Sequence, residues 1–188
     1  MGDTKQHWKQ RPANPTPIIY IGIDPGMSGG IAVICGASIA AITMPRAEHS
    51  IWDYLAQFIT PEPKHVYAGM ELVGGYIKDN PTPGSAMFNF GENCGHLRMA
   101  CIAGGLKVTK GGVAPAHLYM IPPQEWQRGL KIDPHRTGES DTDWKNRLRW
   151  NAEELFPKRL HPSLRVTLRN ADALLIAAYV RQQHQNGA

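Results

Sequence analysis

From Ala173 to Val180 the chain carries no charged side chain, and Asp172 is the acidic group at the head of that run. A helix that is apolar on every side has no face to give to water, so the rest of the fold has to surround it. The segment from Asn170 to about Gln183 is therefore read as a buried helix, and the chain upstream must supply a sheet and further helices to cover it.

That material is present. Ile18 to Ile23 is short, β-branched and apolar, and Asp24-Pro25-Gly26 stops it. Ile31 to Ile34 and Ser38 to Met44 supply two more strands around a turn containing Gly36, giving an antiparallel meander. Glu48 to Ile59 has apolar residues near helical spacing (Ile51, Trp52, Leu55, Phe58, Ile59) and ends before Pro61 and Pro63. His65 to Leu72 is again a strand, and Gly74, Gly75, Pro81, Pro83 and Gly84 then force a loop. A helix follows from Ser85 to about Ala103, a last strand from Leu118 to Ile121, and a short helix opened by Pro122-Pro123 that runs to Leu130. A polar loop over 132–141 leads to a helix from Asp143 to Phe156, stopped by Pro157. The expected fold class is α/β, a mixed five-stranded sheet flanked by helices. Residues 1–16 are polar, basic and broken by Pro12 and Pro15, and read as a flexible tail before one domain spanning 17–188.

The charge is mildly basic, 20 Lys plus Arg against 16 Asp plus Glu, which favours polyanionic partners. The excess concentrates late: Lys145, Arg147, Arg149, Lys158, Arg159, Arg165 and Arg169 face only Glu153 and Glu154 between 145 and 169. A solvated helix face gives the same pattern. Three cysteines without a Cys-x-x-Cys pair point to neither a disulfide framework nor a zinc site, and fit a reducing cytoplasm or organellar matrix. No apolar run is long enough to span a bilayer, and residues 1–17 lack a signal-peptide core.

Three carboxylates stand at chosen places. Asp24 ends the first strand and is followed by Pro25, Gly26, Ser28, Gly29 and Gly30, small residues that let a phosphate backbone approach. Glu71 ends the fourth strand, where alternation sets Tyr67, Gly69 and Glu71 on one face and Val66, Ala68, Met70 and Leu72 on the other. Asp172 lies in the first turn of the buried helix. Singly each has an ordinary explanation: a good turn, a solvated strand end, a carboxylate favoured by the helix dipole with Asn170 as cap. Together, in this order and on these elements, they are far more specific.

The set resembles the RuvC-type Holliday junction resolvases of the ribonuclease H-like superfamily, especially the phage and organellar branch. The resemblance rests on Gly22-Ile23-Asp24-Pro25-Gly26, Glu71-Leu72-Val73, Phe88 to Gly95 (FNFGENCG), Pro122-Pro123-Gln124-Glu125-Trp126, the Lys145 to Pro157 helix and Ala171 to Ala177 (ADALLIA). It implies a ribonuclease H-like fold, a homodimer, and Mg²⁺-dependent paired nicking of branched, four-way DNA, with Mn²⁺ as a substitute. Asp24, Glu71 and Asp172 would hold cations, which as a pair about 4 Å apart stabilise the attacking and leaving oxygens of a phosphodiester. Lys145 would act beside the scissile phosphate, and Tyr76, Lys78, Phe88, Arg128 and Lys145 would contact DNA; Phe88 reads equally as core. The helix from Ser85 to Ala103, with Met87, Phe88, Leu97, Met99 and Ile102, is the expected dimer face.

The sequence departs from the family at one point. A fourth ligand is expected three to five residues before Asp172, where Thr167, Leu168 and Arg169 stand. Asn170, Thr167 or His161 are the substitutes on offer, and a junction-binding protein with little or no catalysis is the alternative. ATPases of the actin and sugar-kinase type also open on a strand, Asp and Gly, but need a second lobe for which this chain has no room.

Overall fold

The computed structural model describes residues 16–59, 62–73 and 84–187. Strands β1 (Ile19–Asp24), β2 (Gly30–Cys35) and β3 (Ser38–Thr43) form the antiparallel meander, with Gly36 at φ 57° in the β2–β3 turn. Helix α1 (Glu48–Ile59) and a 3-10 turn (Pro63–His65) lead to β4 (Val66–Glu71), which returns parallel to β1. Then come α2 (Gly84–Ala103), β5 (Lys107–Thr109), β6 (His117–Ile121), α3 (Pro123–Gly129), α4 (Asp141–Leu155) and α5 (Ala171–Gly187).

Among the described residues the sheet has six strands in the order β3-β2-β1-β4-β6-β5, not the five expected. The extra one, β5, is three residues long, lies at the sheet edge and is largely exposed, so it has no alternation to reveal it. Two helix ends also differ by two residues or more. Helix α4 starts at Asp141 rather than Asp143 because the Ser140 hydroxyl accepts from the Asp143 N–H at 3.1 Å, and α5 continues past Gln183 to Gly187. The expected tail, 1–16, lies outside the described residues except for Thr16, and so do Tyr76 and Lys78.

Two apolar clusters sit on opposite faces of the sheet. Ile21, Ile23, Ile31, Val33, Val66, Ala68 and Met70 pack under α1 and α2, while Tyr20, Ala32, Ile34, Tyr119 and Ile121 pack under α3, α4 and α5. The result is a helix–sheet–helix sandwich with α5 against β1, β2 and β4. All ten residues from Ala171 to Val180 are buried, as the uncharged run requires. Among the described residues no helix is long and apolar enough to cross a membrane.

Two glycines let α5 lie so close. Gly22 and Gly69 are register partners in β1 and β4. A Cβ on Gly22 would stand 2.1 Å from the Ala173 carbonyl oxygen and 2.3 Å from the Ala177 nitrogen, and one on Gly69 would strike Ile121, Val180 and Ile176. They form a flat floor on which the first turns of α5 rest.

Candidate active site

That floor sets the site. Asp24 and Glu71 each lie two residues beyond one of the paired glycines, so both side chains emerge on the α5 face at the same end of the sheet. Asp172 directly precedes Ala173, whose carbonyl lies over Gly22. The three acids predicted from the sequence therefore meet where β1, β4 and the start of α5 converge.

The loop after β1 is shaped around Asp24. Gly26, at φ 97°, donates its N–H to the buried Asn93 side chain of α2 at 2.8 Å. A Cβ on Gly29 would lie 2.1 Å from the Asp24 carbonyl oxygen and 3.0 Å from its carboxyl carbon. The glycine read as room for a phosphate is thus required first by the chain's own fold-back onto Asp24.

The carboxylates are electrostatically frustrated. Burial, then the charges of Asp172 and Glu71, push the Asp24 carboxyl well above its ordinary value, with Lys145 opposing. Burial and the charge of Asp172 push Glu71 up to about 7, against the Trp126 hydrogen bond and Lys145. Lys145, on α4, sets its ammonium 2.5 Å from Oδ2 of Asp172. Burial works against that charge, but Asp172, Asp24 and Glu71 outweigh it and raise its pKa. Oδ1 of Asp172 is buried with no hydrogen-bond partner. An orphaned carboxylate oxygen beside two further acids is a donor set for a hard divalent cation, so the residues fit such an ion.

The raised Glu71 value has a measurable sign. Between its ordinary value of 4.5 and about 7 the folded protein holds a proton that the unfolded chain has released, so stability present below that window is lost as pH rises through it. The melting temperature of metal-free protein should therefore fall across that range, and Mg²⁺ at neutral pH should restore it. Glu71→Gln should flatten the decline; an equal slope in that variant would remove Glu71 as its source.

Sequence reasoning missed two positioning groups. The indole N–H of Trp126, wholly buried on α3, donates to Oε2 of Glu71 at 3.0 Å. Its neighbour Glu125 accepts from the Tyr119 hydroxyl at 2.8 Å and the Tyr179 hydroxyl at 2.7 Å, which fastens α3 to β6 and α5. A buried tryptophan needs an acceptor for its N–H, and that was the available signal. Asn93 is the other, a buried amide inside a helix with no aliphatic pattern to flag it.

The remaining predicted residues are spread out. Phe88 is 68% exposed on α2 and so is not core, and Arg128 is exposed on α3. Leu97, expected at a dimer face, is fully buried, while Met99 and Ile102 are exposed. The basic late segment is partly spent: Arg147 binds Glu139 at 2.6 Å, donates to two loop carbonyls and stacks over Trp144. Among the substitutes for a fourth ligand, Asn170 turns its amide to the backbone of Thr167 and Arg165, and His161 packs against Phe156. The Thr167 hydroxyl is buried without a partner. Elsewhere among the described residues, Glu48, Glu92 and His96 bring ligand atoms within 4.8 Å of one another on the surface of α1 and α2.

No family model matches the chain, and no curated protein matches it. A solved structure of Thermus thermophilus RuvC is similar over 90% of this chain and 96% of that one, with a TM-score of 0.52 and 16% identity. At that identity the likeness carries the architecture alone.

Proposed function

We propose that this chain is a structure-selective DNA endonuclease that resolves four-way (Holliday) junctions by divalent-cation-dependent hydrolysis. The observation that carries the reading is the convergence of Asp24, Glu71 and Asp172, mutually repelling and with one oxygen orphaned, on a fold similar to that of RuvC. Asp24, Oε1 of Glu71 and Oδ1 of Asp172 would hold Mg²⁺, or Mn²⁺ in its place, because Oε2 and Oδ2 already have partners. When bound, the cation supplies activation of water and stabilisation of charge on the phosphate. Trp126 orients Glu71, Lys145 adds positive charge where charge develops on the scissile phosphate, and α5 walls off the rear of the site from solvent. Exposed Phe88 and Arg128, together with Tyr76 and Lys78, are the DNA contacts in this reading, Phe88 by stacking on an unpaired base. A homodimer follows from the substrate: two symmetric nicks call for two sites related by a two-fold axis.

Junction binding without cleavage is favoured by one observation, the lysine rather than a fourth acid against Asp172. The test is a labelled mobile four-way junction beside linear duplex of the same sequence, with and without Mg²⁺. Paired nicks in the junction alone, and only with metal, are expected. Tight junction binding with no nick at any metal concentration would leave the binding reading, and equal cutting of linear duplex would remove the junction as substrate.

A further inference from the structure

The acidic site contains its own cation. Two of its carboxylates are each tied by one oxygen, Glu71 Oε2 to Trp126 at 3.0 Å and Asp172 Oδ2 to Lys145 at 2.5 Å. What remains is Asp24, one oxygen of Glu71 and the buried, unpartnered oxygen of Asp172, on carboxyls close enough for the charge of Asp172 to act on the other two. Charge gives the same count. Even when all three carboxylates are ionised, they and one ammonium sum to no more than minus two, which one divalent ion neutralises; a second ion would leave a net positive charge in a largely buried pocket, which is strongly disfavoured. On the side where further ligands would have to come from, Leu168 and Arg169 line one shallow groove with Ser28, Asp141, Thr142 and Lys145. Its one carboxylate, Asp141, is fully exposed and lies 3.7 Å from His135, so the wall brings a further positive charge, Arg169, and no buried acid.

We infer that Lys145 stands as the second cation of the site, so that the resting protein takes one divalent ion per acidic site, shared among Asp24, Glu71 and Asp172. This rests on the nuclease reading for its purpose but not for its measurement. The ammonium holds Asp172 in place before the ion arrives, and it repels that ion at short range. Replacing Lys145 with a neutral side chain of similar length should therefore tighten the first ion and make room for a second.

The experiment counts Mn²⁺ per chain without DNA, by calorimetry and by electron paramagnetic resonance, in full-length protein at neutral pH. The background carries Glu92→Gln so that the surface group of Glu48, Glu92 and His96 adds no ion. The expected result is one ion per chain, unchanged in Lys145→Arg, whereas Lys145→Met binds the first ion about tenfold tighter and takes up a second more weakly. Two ions of similar affinity without any change at Lys145 would overturn the inference, and so would a Lys145→Met protein with unaltered count and affinity. The count with Lys145 intact needs no variant at that position and decides even if Lys145→Met does not fold. If two ions bind and the junction is nicked, this inference falls and the nuclease reading stands; if no ion binds the acidic site, both fall.

Discussion

Asp24→Asn should abolish nicking, by about a thousandfold or more in single-turnover rate (roughly 4 kcal/mol of barrier), while junction affinity holds or rises. Asp24 is the acid that Asp172 and Glu71 both press upon, and the loop through Gly29 folds back against its carboxyl. An amide of the same shape keeps that packing but loses the charge that an ion needs. It also takes one negative charge away from approaching phosphates, which cannot weaken their attraction. A second readout comes from stability. Because the Asp24 carboxylate is held at a cost in the metal-free fold, the asparagine variant should melt higher than the parent without metal, and its melting should respond less to Mg²⁺. A rate within tenfold of the parent would take Asp24 out of the chemistry.

Gly22→Ala should destabilise the protein by about 3 kcal/mol or more, because the new methyl meets backbone and not a side chain that can turn aside. The Ala173 carbonyl oxygen and the Ala177 nitrogen would be 2.1 and 2.3 Å away, so α5 itself has to lift. Asp172 rides on that helix, and protein that still folds should have lost metal affinity together with stability. The control is Gly91→Ala on the exposed side of α2, where an added Cβ meets nothing within 4 Å. There the change should stabilise by about 0.5 to 1 kcal/mol, the ordinary gain from alanine in a helix. Chemical denaturation of the two variants gives opposite signs, and similar small effects in both would contradict the close seating of α5.

The placement of the three acids was legible in the sequence because strand ends and helix starts announce themselves: Asp24 and Glu71 close apolar runs, and Asp172 opens an uncharged one. Alternation also set Glu71 and Gly69 on one face, as they are. What was not legible depends on contacts across the fold. Lys145 was singled out by the family resemblance alone; its charge leaves it one basic residue among seven in its segment, and its contact with Asp172, unlike that of Arg147 with Glu139, depends on the packing of α4 beside α5. Trp126 and Asn93 act through partners far along the chain, on β4 and in the loop after β1. Strand β5 escaped for a different reason, since three residues at a sheet edge carry too little pattern to be read.

The seating of α5 on β1 joins the last helix of the chain to the first strand. During synthesis the sheet of β1 to β4 can pair early, yet its middle strands stay uncovered on one face until α5 has been made. A nascent chain then holds Asp24 and Glu71 but not Asp172, so it has neither the three acids together nor the helix that covers that face of the sheet. Such long-range closure slows folding and exposes an apolar sheet meanwhile. It also means that Asp24, Glu71 and Asp172 come together only once α5 has docked, and a chain cut short of α5 lacks the third acid.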